Sequence, residues 1–434
     1  MEAMLSDLEK EALRKAWGKH SPTSYAAERI QKVNAGTPTD WGLSNRPPNK
    51  AVEPISLAGG IPDVATLPRL DLVKATARGL GFDSDKSTFD QAIAVLDDAP
   101  LSYGGAAGSE ALRAEIGRFF ARDYQDIPGP DRFLLTNGAA GGIELVCSAL
   151  LDPGDVVVSE IPAFSGSLRT FKGYGARVVG VPMNRYGMDI EALEATLKKL
   201  AKDGARVKLI YASPTFQNPT GTNMPTEQRL RLIELAAYYG VIILEDTAYN
   251  EFYFGENLLP TLGSLANGHF VITVGTFSKV IAPGLRVGWV TTRPELLGLI
   301  VQARFDMGNS PLLHRTLYEL MVNGDLKRHL TSMRSLYREK MTVLTKALHE
   351  FCKDSVAFED PAGGFFLWVK LADPLKSREV QQRGLDAGVV FPIGSGFYLP
   401  DGPEEIGQHV RLAYSRAPTQ DLQLAAERFA STLA

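Results

Sequence analysis

The stretch from Lys208 to Asp246 reads KLIYASPTFQNPTGTNMPTEQRLRLIELAAYYGVIILED. Lys208 to Ala212 is a short apolar run that predicts a strand. Ser213-Pro214 and Asn218-Pro219-Thr220-Gly221 then read as a turn. Thr226 is placed as the cap of a helix whose Leu230, Ile233 and Ala237 fall on one face. Gly240 ends that helix, and Val241 to Leu244 is the next strand. A strand, a crossover helix and a second strand form the signature of a parallel sheet, so the expected class is α/β.

Working outward, the same alternation continues. Phe133 to Thr136 is a short apolar run, and Asn137-Gly138 turns into a helical pattern that lasts through Leu150. Pro153-Gly154-Asp155 is a turn before the strand Val156 to Val158, and Val271 to Val274 is a further strand. Ser310 to about Phe351 reads as one long helix or two. Phe365 to Leu371 and Val389 to Pro392 look like strands of a smaller C-terminal unit. At the other end, Leu5 to about Lys19 reads as a charged, weakly amphipathic helix. Gly36 to Pro54 is rich in Pro, Gly, Asn and Thr and reads as an irregular arm.

The chain has 434 residues, enough for a large core and two domains. Its content of 44% hydrophobic and 22% charged residues is that of an ordinary globular protein. A net charge of -4 offers no electrostatic case for nucleic acid or an anionic membrane as partner. The 2 cysteines, Cys147 and Cys352, belong to no metal-ligand pattern, which predicts a reducing compartment without a structural disulfide. The first residues lack the basic start and apolar core of a signal peptide, and no apolar run is long enough to cross a bilayer. A cytoplasmic protein is expected.

Ligands of open α/β sheets bind beyond the carboxyl ends of the strands, and here five apolar runs each end in an unusual group. Gly138-Ala139-Ala140 opens a helix without bulky side chains. Its N–H groups either hold a phosphate or form a tight strand-to-helix turn. Phe164 is a stacking platform or a core residue. Asn218 is a hydrogen-bonding group or a turn former. Asp246, at the end of a buried strand, pairs with a protonated ring nitrogen or caps a turn. Tyr249 donates a phenol hydrogen bond or packs the core. Val271 to Val274 runs into Gly275-Thr276-Phe277-Ser278-Lys279, with Arg286 seven residues on. An amine flanked by hydroxyls and a guanidinium suits a Schiff base beside a phosphate, against the plain alternative of a surface lysine. Arg411, in a short strand near the C-terminus, either clamps a carboxylate or lies on the surface.

Taken in order, Ser213-Pro214-x-x-x-Asn218-Pro219-Thr220-Gly221, Asp246-x-x-Tyr249 and Ser278-Lys279 with Arg286 resemble the fold-type I enzymes that use pyridoxal 5'-phosphate, the class I/II aminotransferases. The resemblance runs from about Ile55 to the C-terminus. Leu57-Ala58-Gly59-Gly60-Ile61-Pro62, Tyr103-Gly104-x-x-x-Gly108 and Pro361-x-Gly363-Gly364-Phe365-Phe366-x-Trp368 are also similar to that family. The segment around Lys279 is similar to the 2-aminoadipate/kynurenine aminotransferase branch.

The resemblance implies a large cofactor domain, residues 101–311, with a mixed, mostly parallel seven-stranded sheet. It also implies a smaller α+β domain, residues 55–100 and 312–434, and an N-terminal helix and arm, residues 1–54. It implies that Lys279 carries the cofactor as an aldimine and moves the substrate α-proton as general base. Asp246 would face the pyridine nitrogen, and Asn218 and Tyr249 the ring hydroxyl. Phe164 would stack on the ring. The backbone of Gly138, Ala139 and Ala140, with Thr276, Ser278 and Arg286, would hold the phosphate, and Tyr103 would reach it from the partner of a homodimer. Many relatives carry a serine or a longer polar residue in the Ala139-Ala140 stretch, so two side-chain hydrogen bonds are missing here. Arg411, with Asn218 and Gly60, would bind the substrate α-carboxylate.

These residues imply a ping-pong exchange between an L-amino acid and a 2-oxo acid. A carbon–sulfur lyase, a decarboxylase or an oxidase on the same fold would share them. A cofactor-binding regulatory module would too, although no basic winged-helix pattern precedes the matched region. The arm from Ser21 to Asn49 is longer and less regular than expected of the branch, so 2-aminoadipate is not carried over as substrate. Tyr25, Arg29 and Trp41 are candidates to line the substrate pocket, or they merely pack the arm. The expected substrates are a broad or hydrophobic amino donor with 2-oxoglutarate or pyruvate as acceptor.

Overall fold

The computed structural model describes residues 11–12, 15, 25–34, 52–82, 99–255, 258–399 and 408–434. Most of the helix expected from Leu5 to Lys19 and most of the arm expected from Gly36 to Pro54 lie outside these residues, Trp41 included. The chain divides into two compact units, Met1–Thr37 and Pro38–Ala434. In the first, helix α1 (Tyr25–Asn34) carries Tyr25 and Arg29. The remaining description concerns the second unit.

Strand β1 (Ile55–Ser56) opens this unit. The main sheet follows as β2 (Phe133–Thr136), β3 (Val156–Ile161), β4 (Arg177–Asn184), β5 (Gly187–Met188), β6 (Val207–Ala212), β7 (Ile242–Asp246), β8 (Val271–Thr276) and β9 (Gly288–Thr291). Their spatial order is β2-β9-β8-β7-β6-β3-β4-β5. From β8 through β4 every neighbour is parallel; β9 runs antiparallel to both β2 and β8, and β5 antiparallel to β4. Seven strands make the expected sheet, and the two-residue β5 is added at one edge. Strand β9 had no counterpart in the sequence reading. It separates β2 from β8 while leaving both pointing the same way.

Both faces of the sheet are covered, so its strands read as nearly unbroken apolar runs. Alternate residues go to opposite sides. On one side Leu134, Val157, Leu209, Leu244, Ile272 and Val274 pack under helices α2 (Gly138–Leu150), α3 (Ser165–Gly173) and a third helix, Pro294–Gln302. On the other, Val156, Val158, Ile210 and Ile243 pack against helix Ile190–Lys202 and α4 (Thr226–Tyr239). A second sheet, β10 (Val356–Ala357), β11 (Phe366–Leu371) and β13 (His409–Ala413), is antiparallel, and β12 (Val389–Val390) pairs with β1. The pattern from Ser310 to Phe351 resolves into two helices, Pro311–Val322 and Asp325–Cys352, broken at Gly324, which adopts φ 75.

Helix α4 departs from its expected form. The residue before it, Pro225, occupies the cap, and Thr226 makes no capping bond. The buried stripe is Arg229, Leu232, Leu235 and Ala236, whereas Leu230 is 45% exposed. An arginine on the core face shifts the stripe away from Leu230, Ile233 and Ala237. Its guanidinium is satisfied by the carbonyls of Met224 (2.7 Å), Pro260 (3.0 Å) and Pro214 (2.9 Å), by Thr215 Oγ1 (2.8 Å) and by Asn223 Oδ1 (3.1 Å). A buried cation is tolerated because nearly every N–H finds an acceptor. The same bonds pin both ends of the loop that carries Asn218.

The start of α2 is pressed onto the sheet. A Cβ at Gly288 would stand 2.5 Å from the Gly275 carbonyl oxygen and 2.6 Å from the Gly138 carbonyl carbon. Both are backbone atoms and cannot swing aside. Gly288→Ala is therefore expected to cost roughly 1–3 kcal/mol or more, seen as a lower urea midpoint. An unchanged midpoint would show that α2 is not seated this closely.

Candidate active site

A cavity of about 300 Å³ opens at the carboxyl edge of the main sheet, on the side of α2 and α3. Five parallel strand ends feed it. Ala139 and Ala140 follow β2, Phe164 follows β3, Ser213 and Asn218 follow β6, Asp246 and Tyr249 come with β7, and Thr276, Ser278, Lys279 and Arg286 follow β8. The sequence separates these groups by up to 147 positions; the common strand direction brings them to one place.

Lys279 lies in helix α5 (Phe277–Val280), which begins where β8 ends. Thr276 caps that turn: its hydroxyl oxygen accepts the Ser278 N–H at 3.0 Å, and its O–H donates to Ser278 Oγ at 2.9 Å. The turn fixes the Lys279 backbone and sends its amine inward. There Nζ donates to the Gly60 carbonyl at 2.8 Å and lies 5.7 Å from the Tyr249 ring centre. Burial, with the positive charges of Arg411 and Arg286, pushes the Lys279 pKa down to about 8, and the Asp246 carboxylate opposes this.

Asp246 ends β7 as a buried carboxylate. Its oxygens accept the Tyr211 hydroxyl at 3.0 Å and the Ala248 N–H at 3.1 Å. Ser167 Oγ donates in turn to Tyr211 at 3.0 Å, so a chain of hydroxyls orients the carboxylate. Burial raises the Asp246 pKa, and these donors and Lys279 partly offset the rise. A second buried carboxyl, Glu160 on β3, accepts the Ser213 N–H and the Gln217 amide, each at 3.0 Å. Its pKa is pushed up to about 7 by burial. Through Gln217 it ties the end of β3 to the Asn218 loop.

At the head of α2, Asn137 makes no side-chain capping bond. The first-turn N–H groups of Gly138, Ala139 and Ala140 are therefore open to an anion. Arg286 stands beside them, donating to Asn137 O (3.0 Å), Ser278 Oγ (3.2 Å) and Pro283 O (3.3 Å). It holds φ 52, a left-handed conformation that costs a non-glycine residue on the order of 1 kcal/mol or more. Gly138 has φ 71, where a side chain is strained, and a Cβ there would also press on the Arg286 Nη2 at 2.9 Å, so glycine is favoured.

Arg411 is buried in β13 and is not a surface residue. It donates to Asn218 Oδ1 at 2.8 Å and to the Ala58 carbonyl, and its plane lies over Phe366 and Phe397, 4.4 and 4.9 Å from the ring centres. Its Nε is buried and has no acceptor among the described residues. Tyr249 packs edge-on against Phe366 with ring centres 5.1 Å apart. Tyr103 is not brought in: it is 89% exposed and does not line the cavity. Tyr211, Ser167, Glu160 and Arg169 were not singled out as site residues from the sequence. Tyr211 had one available signal, a phenol among the apolar residues Leu209, Ile210 and Ala212 at the end of β6. A second cavity, about 260 Å³, lies beyond Thr276 and Ala248 between Phe120 and Trp289, and no lysine lines it.

The arrangement therefore joins an amine, an oriented carboxylate, an uncapped helix N-terminus and a buried guanidinium with a free donor. Residues 71–429 match the family described as aminotransferase class I and II. The chain is 33% identical over 365 residues to a 2-aminoadipate transaminase of Thermus thermophilus, covering 83% of this chain and 85% of the relative. It is 30% identical over 383 residues to aromatic-amino-acid aminotransferase 1 of Thermococcus litoralis, covering 87% and 88%. Among solved structures, the α-aminoadipate aminotransferase LysN of Thermus thermophilus, complexed with N-(5'-phosphopyridoxyl)-L-leucine, superimposes with a TM-score of 0.80 at 31% identity, over 95% of this chain and 97% of that one. The chain belongs to the class I and II aminotransferases and is a transaminase that depends on pyridoxal 5'-phosphate.

Proposed function

We propose that the residues of this cavity divide the work of amino-group transfer among themselves, with Lys279 as both cofactor anchor and proton carrier. When bound, pyridoxal phosphate supplies an electron sink for the pair left by a broken Cα–H bond. The cavity suits that group: an open helix N-terminus for its phosphate, a carboxylate for its ring nitrogen and an amine for its aldehyde. Gly138, Ala139 and Ala140 hold the phosphate through backbone N–H groups, joined by Thr276, Ser278 and Arg286. Asp246 keeps the ring nitrogen protonated, Asn218 and Tyr249 meet the ring hydroxyl, and Phe164 covers one ring face. Lys279 Nζ takes and returns the proton at the substrate Cα. Its depressed pKa leaves a useful fraction of neutral amine near neutral pH.

The observation that carries the substrate reading is Arg411. It is buried, its Nη1 is braced by Asn218, and its Nε lacks an acceptor among the described residues. A substrate α-carboxylate supplies that acceptor, with the Gly60 segment beside it. The Phe366 and Phe397 rings against Arg411 favour an amino donor with an apolar side chain. We assign 2-oxoglutarate or pyruvate as the acceptor.

Leu101, Tyr103, Phe305 and Met307 are exposed on neighbouring loops, which the bond from Arg304 to Ala106 O (3.1 Å) draws together. An exposed apolar patch of this kind marks an interface. It supports a homodimer in which Tyr103 reaches the partner's phosphate site. We divide the second unit into a cofactor domain, residues 101–311, and a smaller domain, residues 55–100 and 312–434. Two free, buried cysteines suit a reducing, cytoplasmic setting. No helix among the described residues is long and apolar enough to cross a membrane.

Incubating the holoenzyme with single amino acids, while following cofactor absorbance and identifying products by mass, tests the reaction. The expected result is the amine form of the cofactor with an equal amount of 2-oxo acid, lost in Lys279→Ala. Release of ammonia, CO2 or peroxide without the amine form would overturn it. In the cofactor-free protein, the rate of cofactor capture should rise about tenfold per pH unit below about 8 and level off above it, as the Lys279 amine deprotonates. Removing a nearby positive charge raises an amine pKa, so Arg411→Ala should move that midpoint upward; a midpoint that stays fixed would mean Arg411 does not act on Lys279. Light scattering is expected to give a dimer mass, and a monomer would count against the shared site.

A further inference from the structure

Three cationic side chains line the main cavity: Lys279, Arg286 and Arg169. The first two already have acceptors in the protein. Lys279 rests on the Gly60 carbonyl, and Arg286 is divided among Asn137, Ser278 and Pro283. Arg169 differs. It is half-buried, and among the described residues neither a hydrogen bond nor an ion pair engages its guanidinium, whereas the hydroxyl of its neighbour Thr170 is spent on the Gly166 carbonyl at 3.0 Å. Its guanidinium keeps contact with solvent, as long basic side chains usually do, and its five N–H donors are free to meet an acceptor that a ligand supplies.

The position of Arg169 narrows the ligand. It lies on α3, whose Gly166, Ser167 and Thr170 line the cavity together with Ala139, Ala140 and Ile143 of α2. Helices α2 and α3 share one core, to which Ile143, Val146, Leu168 and Phe171 belong. Ala139 and Ala140 carry no polar side chain, so on its own α2 offers an anion only backbone N–H groups. Arg411 is not among the residues that line this cavity. The guanidinium thus lines the same cavity as the open helix N-terminus, whereas Arg411 does not.

We infer that Arg169 is a phosphate-binding residue of this enzyme, donating from α3 to the cofactor phosphate that the N-terminus of α2 receives. This rests on the assignment of the phosphate to α2 made above. A guanidinium matches a phosphate through two parallel N–H bonds and adds charge that neither alanine provides. Arg169 thereby replaces, from a neighbouring helix, the side-chain donors missing from the first turn of α2. It has a binding role and takes no part in proton transfer.

The test uses cofactor-free full-length protein and two probes, pyridoxal phosphate and inorganic phosphate. In Arg169→Ala, the Kd for pyridoxal phosphate is expected to weaken by roughly tenfold to a hundredfold, the loss of one charge-assisted pair. The rise in Tm that inorganic phosphate gives the wild type should shrink with it. Arg169→Lys should recover part of both as a point charge, and the KM of the amino donor should not move. Comparing midpoints without phosphate separates this from a folding defect. Wild-type cofactor affinity and phosphate stabilisation in Arg169→Ala would overturn the inference. So would an unchanged cofactor Kd with a raised KM for dicarboxylic 2-oxo acids, which would assign Arg169 to a substrate carboxylate. If the wild type took up no pyridoxal phosphate, the transaminase reading itself would fall, while the phosphate shift would still decide the role of Arg169 as an anion site.

Discussion

Charge buried at the carboxyl edge of the main sheet constrains everything around it. Asp246, Glu160, Arg229 and Arg411 all lie inside the protein, where an unpaired charge costs several kcal/mol or more. Each is held by groups brought from distant parts of the chain. Arg229 gathers acceptors at both ends of the loop 213–224, and Glu160 gathers two donors from the same loop. The loop therefore has little freedom, and Asn218 at its centre is presented to Arg411 in one geometry. Rigid support for a site of this kind is what catalysis by orientation requires.

The other side of the site depends on close approach. Gly288 lets the head of α2 come down onto β8 and β9, while Gly275 leaves room for the Trp289 ring and Gly138 for the Arg286 guanidinium. That contact brings the open N–H groups of α2 beside Arg286, whose left-handed backbone is held in place by three bonds to the protein. Strain at Arg286 and the missing side chains at Gly138 have one cause: a guanidinium has to stand over a helix N-terminus. The electrostatics follow from the same packing. Two arginines and burial together depress the Lys279 amine, while a hydroxyl chain and a backbone N–H keep the Asp246 carboxylate oriented.

Much of this was legible in the chain. The alternation of apolar runs and helical periods around Lys208 to Asp246 gave the parallel sheet, and Gly240 ended its helix as read, with φ 66. Residues at strand ends were legible for a physical reason: parallel strands deliver whatever follows them to one edge. Helix α4 shows the limit. A buried arginine looks solvent-facing in sequence, so periodicity points to Leu230, Ile233 and Ala237, whereas Arg229 and Leu232 face the core. Strand β9 was invisible for a related reason. Its four residues, Gly-Trp-Val-Thr, are too short for periodicity, and only pairing on both edges makes them a strand.

By itself the sequence determined the class of fold, the family and the residues that stand at the strand ends, because those depend on local periodicity and on motifs of fixed spacing. Only the tertiary structure decided how each charge is satisfied. Tyr211 reaching Asp246, Gln217 reaching Glu160, Arg411 resting on Ala58 and Asn218, and Arg169 left without an acceptor among the described residues are relations between residues 35 to 353 positions apart, or the absence of any such relation. No local pattern encodes them, since a hydrogen bond in a buried site depends on the distance and angle that packing leaves between two groups.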